Sequence, residues 1–225
     1  MGTQIELTAS DGQKLSAYRA EPSGKPRGGV VVIQEIFGVN EHIRAVADGY
    51  AADGYVAIAP ALFDRVERGV EVGYDGPSMQ KGVSIVTQLK PGNALKDLQA
   101  AIDEAGKASN SGKVGVVGYC YGGTMSWACA CRLERVAAAS CYYGGQLAKQ
   151  LDVPPRCPVM LHFGETDAMI PMTDIDKVRA AFPDLPVHVY PAGHGFNCEA
   201  RASYHAESAK LARERTLALF AEHVG

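Results

Sequence analysis

The chain has 225 residues, 47% of them hydrophobic and 21% charged, with a formal net charge of −3. This is the composition of a globular protein long enough for one α/β domain, with neither a basic field for nucleic acid nor a polybasic patch for a membrane. No apolar run approaches the roughly 18 residues of a membrane-spanning helix, and "MGTQIELTAS" has neither the basic start nor the apolar stretch of a signal peptide.

Along the chain, residues 3–9 and 14–21 alternate apolar and polar around "SDG", which predicts a β-hairpin. Residues 28–35, "GGVVVIQE", form a continuous β-branched run, as expected of a strand buried on both faces. A helix over 41–54 ends at Gly54, and a second buried strand over 55–60 stops at Pro60. Residues 61–77 read as an irregular Gly-rich loop, and a loop of that length in a compact domain is often functional. Helices follow over 78–89 and 93–107, a strand over 113–118, a helix over 123–133 and a strand over 135–144. A strand over 157–164, a helix over 173–182, a strand over 186–191 and a long amphipathic helix over 202–224 complete the pattern.

No repeat, linker or low-complexity segment interrupts this order, so residues 1–225 read as a single domain. Strands alternating with helices from residue 28 predict an α/β fold. The expected core is a mostly parallel sheet with helices on both faces and the hairpin as an antiparallel edge. The six cysteines (Cys120, Cys129, Cys131, Cys141, Cys157 and Cys198) contain no Cys-x-x-Cys pair and no zinc-type spacing. Most lie in apolar segments, which suits reduced, buried thiols in a cytoplasmic protein.

Ligands of open α/β sheets bind beyond the carboxyl ends of the strands, so those ends hold the candidate chemistry. Glu35 closes the first parallel strand, Cys120 follows the strand at 113–118, Asp167 lies just past 157–164, and His194 follows 186–191. A cysteine between glycines is often only a small buried hydrophobe. Here it stands between a strand and a helix, in "GYCYG", with an acid and a histidine following in order. That is the nucleophile elbow and the triad order of an α/β-hydrolase, with Cys in place of Ser.

The sequence resembles the dienelactone hydrolase family of α/β-hydrolases over nearly its whole length. The likeness is carried by "QEIFGVNEHIR" (34–44), "GYCYGG" (118–123), "CYYGG" (141–145), "FGETDAMIP" (163–171) and "AGHGF" (192–196). The resemblance implies a core sheet of about eight strands and hydrolysis of esters or lactones without a metal or organic cofactor. It assigns Cys120 as nucleophile, His194 as proton shuttle and Asp167 as the group that orients it. It also implies that Glu35 hydrogen-bonds the thiol and keeps it protonated until substrate arrives. The oxyanion hole is expected from the backbone N–H groups of Tyr121 and Ile36, and apolar walls from Phe37 and Tyr143.

One departure bears on the substrate. Family members that act on dienelactone hold its carboxylate with arginines, one of them four residues after the histidine, and here that position is Cys198. Arg65, Arg68 and Arg201 are the remaining candidates, so a weak preference for a lactone carboxylate is expected. The partner is therefore a small-molecule ester or lactone, and the protein a monomer or small homo-oligomer. Two rival readings are a thiol-based redox or electrophile sensor built on Cys120, and a non-catalytic ligand-binding member of the fold. A sensor wants a second cysteine beside the first, and a binding protein has no need of the full Cys-Asp-His order.

Overall fold

The computed structural model describes residues 2–109 and 111–225. The alternating segments form the predicted antiparallel hairpin, β1 (Thr3–Thr8) and β2 (Lys14–Ala20), and in its turn Gly12 N–H donates to Ala9 O at 2.9 Å. The β-branched runs become β3 (Gly29–Ile33), β4 (Val56–Pro60) and β5 (Val114–Tyr119), buried along their whole length. With β6 (Val136–Tyr142), β7 (Val159–Gly164) and β8 (Val187–Tyr190) they make one eight-stranded sheet in the order β1-β2-β4-β3-β5-β6-β7-β8. Only the pairs β1/β2 and β2/β4 are antiparallel.

Helices α1 (Glu41–Ala52), α2 (Gly76–Gln88), α3 (Pro91–Ala108), α4 (Tyr121–Arg132), α5 (Met172–Ala181) and α6 (Ala206–His223) connect and cover the strands. Register separates the two layers. Gly29 abuts Ala105 of α3, whereas Gly115, paired with the next residue Val30, abuts Phe220 of α6. Neighbouring residues of a strand point to opposite faces, so α3 and α6 lie on opposite sides. α1 joins α6, with the rings of Tyr50 and Phe220 6.0 Å apart, and α4 packs beside α3. Capping sets two helix starts: Asn40 accepts from Ile43 N at 3.2 Å and Asp75 from Ser78 N at 2.8 Å.

The sheet order has one consequence for function. From β3 the chain moves to β4 on one side, then returns past β3 to β5 on the other. The switch point therefore lies between β3 and β5, where a crevice opens beyond the carboxyl ends. Ile33 pairs with Gly118 there, and Gly118 with Cys141, so the strand ends stand level.

Several predicted boundaries move. β3 stops at Ile33 because Gln34 leaves the sheet to accept a hydrogen bond from Leu62 N (3.1 Å). The segment 61–77 is more ordered than expected, with a 3-10 turn at Leu62–Arg65 and a bridge from Gly38 to Glu71. α4 starts at once after Cys120. α6 begins at Ala206 rather than 202, with His205 accepting from Ser208 N at its start. All six cysteines are unbridged.

Candidate active site

Cys120 stands on a strained turn. Its φ is 55° and ψ −112°, a conformation that costs a non-glycine residue about 1–3 kcal/mol. Close backbone approach explains the flanking glycines. A Cβ on Gly118 would lie 2.1 Å from Gly122 O, and one on Gly122 would lie 2.2 Å from Ile33 O. The turn is held by Cys120 N donating to Tyr142 O at 3.0 Å.

The loop after β8 brings His194 to this turn. Its Nε2 lies 3.2 Å from Cys120 Sγ, and its Nδ1 lies 2.8 Å from Asp167 Oδ2. Asp167, beyond β7, is buried and is fixed through its other oxygen by N–H donors from Met169 (2.8 Å) and Ile170 (3.2 Å). Burial opposes charge on His194, yet hydrogen bonds to Asp167 and Cys120 raise its pKa from 6.5 to about 9. The imidazole is thus oriented and made a strong proton acceptor beside the sulfur.

Glu35 lies fully buried one step behind. Its Oε1 accepts from Arg201 Nη1 at 3.1 Å, and the guanidinium sits 5.7 Å above the Phe37 ring. The other oxygen, Oε2, has no partner at hydrogen-bonding geometry among the described residues. Burial pushes the Glu35 carboxyl above its ordinary range, against the pull of Arg201, His194 and Tyr74. The hydrogen bond to Cys120 that the resemblance implies is not formed: the thiol is engaged with His194 and the carboxylate with Arg201. The ligand atoms of Glu35, His42 and Cys198 lie within 4.8 Å of one another. They are a donor set for a soft divalent cation, but Arg201 brings positive charge to the same carboxylate.

Beside Cys120 and His194 opens a cavity of about 700 Å³, lined also by Ile36 and Tyr121. Tyr121 N–H belongs to the first turn of α4, where N–H groups lack intrahelical acceptors. The other expected lining residues lie elsewhere. Phe37 is buried against Tyr74, with ring centroids 4.5 Å apart, and Tyr143 packs behind the site with its ring 5.1 Å from that of His194. The apolar walls come from α2, α3 and α4, through Val83, Val86, Leu95, Met125 and Ala128. No sequence signal marked these residues, because each is an ordinary apolar position of an amphipathic helix.

Two of the three candidate arginines are also placed away from the cavity. Arg65 is bound by Asp97 through Nε (2.6 Å) and Nη2 (2.8 Å), and by Asp11 (3.1 Å). Arg68 donates to Lys14 O (3.1 Å) and faces Asp64 across 3.7 Å. Both lie with the hairpin and α3 because their loop turns toward β2 rather than over the strand ends. Of the three, Arg201 alone approaches Cys120 and His194, and it is occupied by Glu35.

A mostly parallel sheet, a cysteine on a strained strand-to-helix turn and a histidine after the last strand fit the α/β-hydrolase class. Within it, residues 15–224 match the dienelactone hydrolase family, and the chain belongs to that family. It is 37% identical over 236 residues to a provisionally named carboxymethylenebutenolidase from Synechocystis sp., covering 97% of this chain and 96% of that protein. It is 33% identical over 221 residues to a carboxymethylenebutenolidase from Pseudomonas putida, covering 95% and 93%. A provisionally named dienelactone hydrolase from Klebsiella pneumoniae superposes with a TM-score of 0.85 at 32% identity, over 99% of this chain and 100% of that one. The protein is a hydrolase of carboxylic esters or lactones.

Proposed function

We propose that this hydrolase works through a Cys120-His194-Asp167 triad and an acyl-enzyme. The observation that carries the reading is the unbroken line of contacts from Asp167 through His194 to a cysteine that opens into the cavity. Cys120 Sγ attacks the substrate carbonyl carbon while its proton passes to His194 Nε2. The oxyanion is received by the N–H groups of Tyr121 and Ile36. The intermediate collapses, and His194 returns the proton to the departing alkoxide, which in a lactone remains tethered. A water then gives its proton to His194, attacks the thioester carbon and releases the acid and the thiol. Asp167 holds the His194 tautomer and offsets the imidazolium charge. No step in this scheme calls on a metal or organic cofactor.

Glu35 acts as the gate. Its negative charge opposes a second one on the sulfur and keeps the thiol protonated until substrate displaces the side chain and releases the thiolate toward His194. The substrate is a small molecule met in the cytoplasm. Six unbridged thiols fit that setting.

The test is a panel of lactones and p-nitrophenyl esters. Cys120→Ala and His194→Ala are each expected to lower kcat by at least about 10³, and the double variant little further, because the residues act as one unit. Quenching during turnover is expected to trap one acyl group on Cys120, read by peptide mass. Near wild-type turnover in Cys120→Ala would overturn the mechanism.

A further inference from the structure

The cavity is larger than a five-membered lactone requires, and its shape carries information. α4 presents Tyr121, Met125, Ala128 and Arg132 to it on one stripe. At about 1.5 Å rise per residue, the stripe runs about 12 Å from the nucleophile to Ala128 and about 18 Å to Arg132. The opposite wall is formed by Val83 and Val86 of α2 and Leu95 of α3. Among the described lining residues, Arg132 is the one Lys, Arg, Asp or Glu, and it stands at the far end, 3.7 Å from Asp152. Val83 is 48% exposed and Met169, at the rim, 66% exposed. Large apolar side chains left in water along a groove that begins at a nucleophile are surface for a bound molecule to cover.

Resting on the hydrolase reading above, we propose that this groove holds a linear hydrocarbon arm of the substrate, so that the preferred ester is aliphatic and of medium length. An arm of about six to ten carbons spans the distance from Cys120 to Ala128 along α4. The arm belongs to either the acyl or the alcohol part of the ester. The chemistry of the groove is the same for both, and the two are separable by experiment.

Two substrate series test this, both below their micelle concentrations: p-nitrophenyl esters from acetate to dodecanoate, and alkyl acetates from ethyl to decyl. In one of them kcat/KM is expected to rise roughly two-fold per methylene, about 60-fold from the shortest to the eight-carbon member, before levelling. The series that rises identifies the arm. Val83→Asp changes a half-exposed residue and does not endanger folding. It is expected to lower the ratio of eight-carbon-ester activity to acetate activity about ten-fold. Ala128→Phe, checked for native circular dichroism and gel-filtration behaviour, is expected to move the plateau to four to six carbons, roughly one helical turn nearer Cys120. If both series are flat or fall while acetate hydrolysis still depends on Cys120, the groove proposal is wrong and the hydrolase reading stands. Equal losses on short and long esters in both variants would likewise overturn it. Turnover that survives in Cys120→Ala would remove the mechanism beneath it.

Discussion

Two arginine–carboxylate pairs are buried in this fold, and they are built differently. Arg65 grips Asp97 with two nitrogens at 2.6 and 2.8 Å, so both carboxylate oxygens are engaged. Arg201 reaches Glu35 through one nitrogen at 3.1 Å and leaves the second oxygen buried and without a partner at hydrogen-bonding geometry among the described residues. Burial pushes both carboxyls up against the pull of their arginines. The first pair is closed, and its geometry suits a clamp between the loop after β4 and α3. The second keeps one hydrogen-bonding position in reserve, close to Cys120 and His194. A fully satisfied pair contributes rigidity, and a half-satisfied one can rearrange at small cost.

The largest effect that separates them is on stability. Arg65→Ala leaves Asp97 buried without its partner and is expected to cost about 3–5 kcal/mol, roughly 6–20 °C in Tm, with kcat/KM unchanged where the protein stays folded. The double variant Arg65→Met/Asp97→Leu should recover most of that loss in a thermal melt. A small Tm change in Arg65→Ala would mean the closed pair is not a clamp.

Glu35→Gln addresses the open pair. It removes the negative charge and leaves Arg201 uncompensated near Cys120. Labelling by iodoacetamide is expected to speed up while kcat/KM falls about 10- to 100-fold, the scale of one lost charge-assisted contact. If wild-type labelling is already fast and the variant does not change it, Glu35 is not a gate.

The pH profile gives a smaller, signed effect. His194 binds its proton more tightly folded than unfolded, since its pKa rises from 6.5 to about 9. The associated stabilisation is complete below pH about 6.5 and is lost as pH rises through about 9. kcat/KM is expected to rise along a limb over the same range, as the neutral imidazole that takes the Cys120 proton appears. Asp167→Asn removes a partner that raises this pKa, and the limb should move to lower pH. A limb that stays in place would mean it belongs to another group.

The smallest effect concerns charge on the substrate. With Arg65 closed by Asp97, Arg68 drawn to Asp64 and Lys14, and Arg201 held by Glu35, none of the three candidate arginines is free to meet a carboxylate beside Cys120. Dienelactone is expected to exceed an uncharged lactone of equal reactivity by less than about ten-fold in kcat/KM. A preference above about 100-fold that vanishes in Arg201→Ala would show that the open pair parts to bind the substrate.

What the sequence determined by itself is local in origin. Buried β-branched runs announced the parallel strands, alternation announced the hairpin, and Gly118 and Gly122 around Cys120 announced a turn whose backbone leaves no room for a Cβ. The order of Cys120, Asp167 and His194 after β5, β7 and β8 was legible for the same reason, since a parallel sheet brings all those ends to one edge. Tertiary structure alone decided which arginine meets which acid, because Arg65 and Asp97 are 32 residues apart and Glu35 and Arg201 are 166. Before folding, three arginines in two loops were equivalent candidates. The walls of the cavity were equally hidden. Val83, Leu95 and Ala128 become neighbours only when α2, α3 and α4 pack, and an apolar residue on an amphipathic helix carries no mark of whether it will meet the core or a substrate.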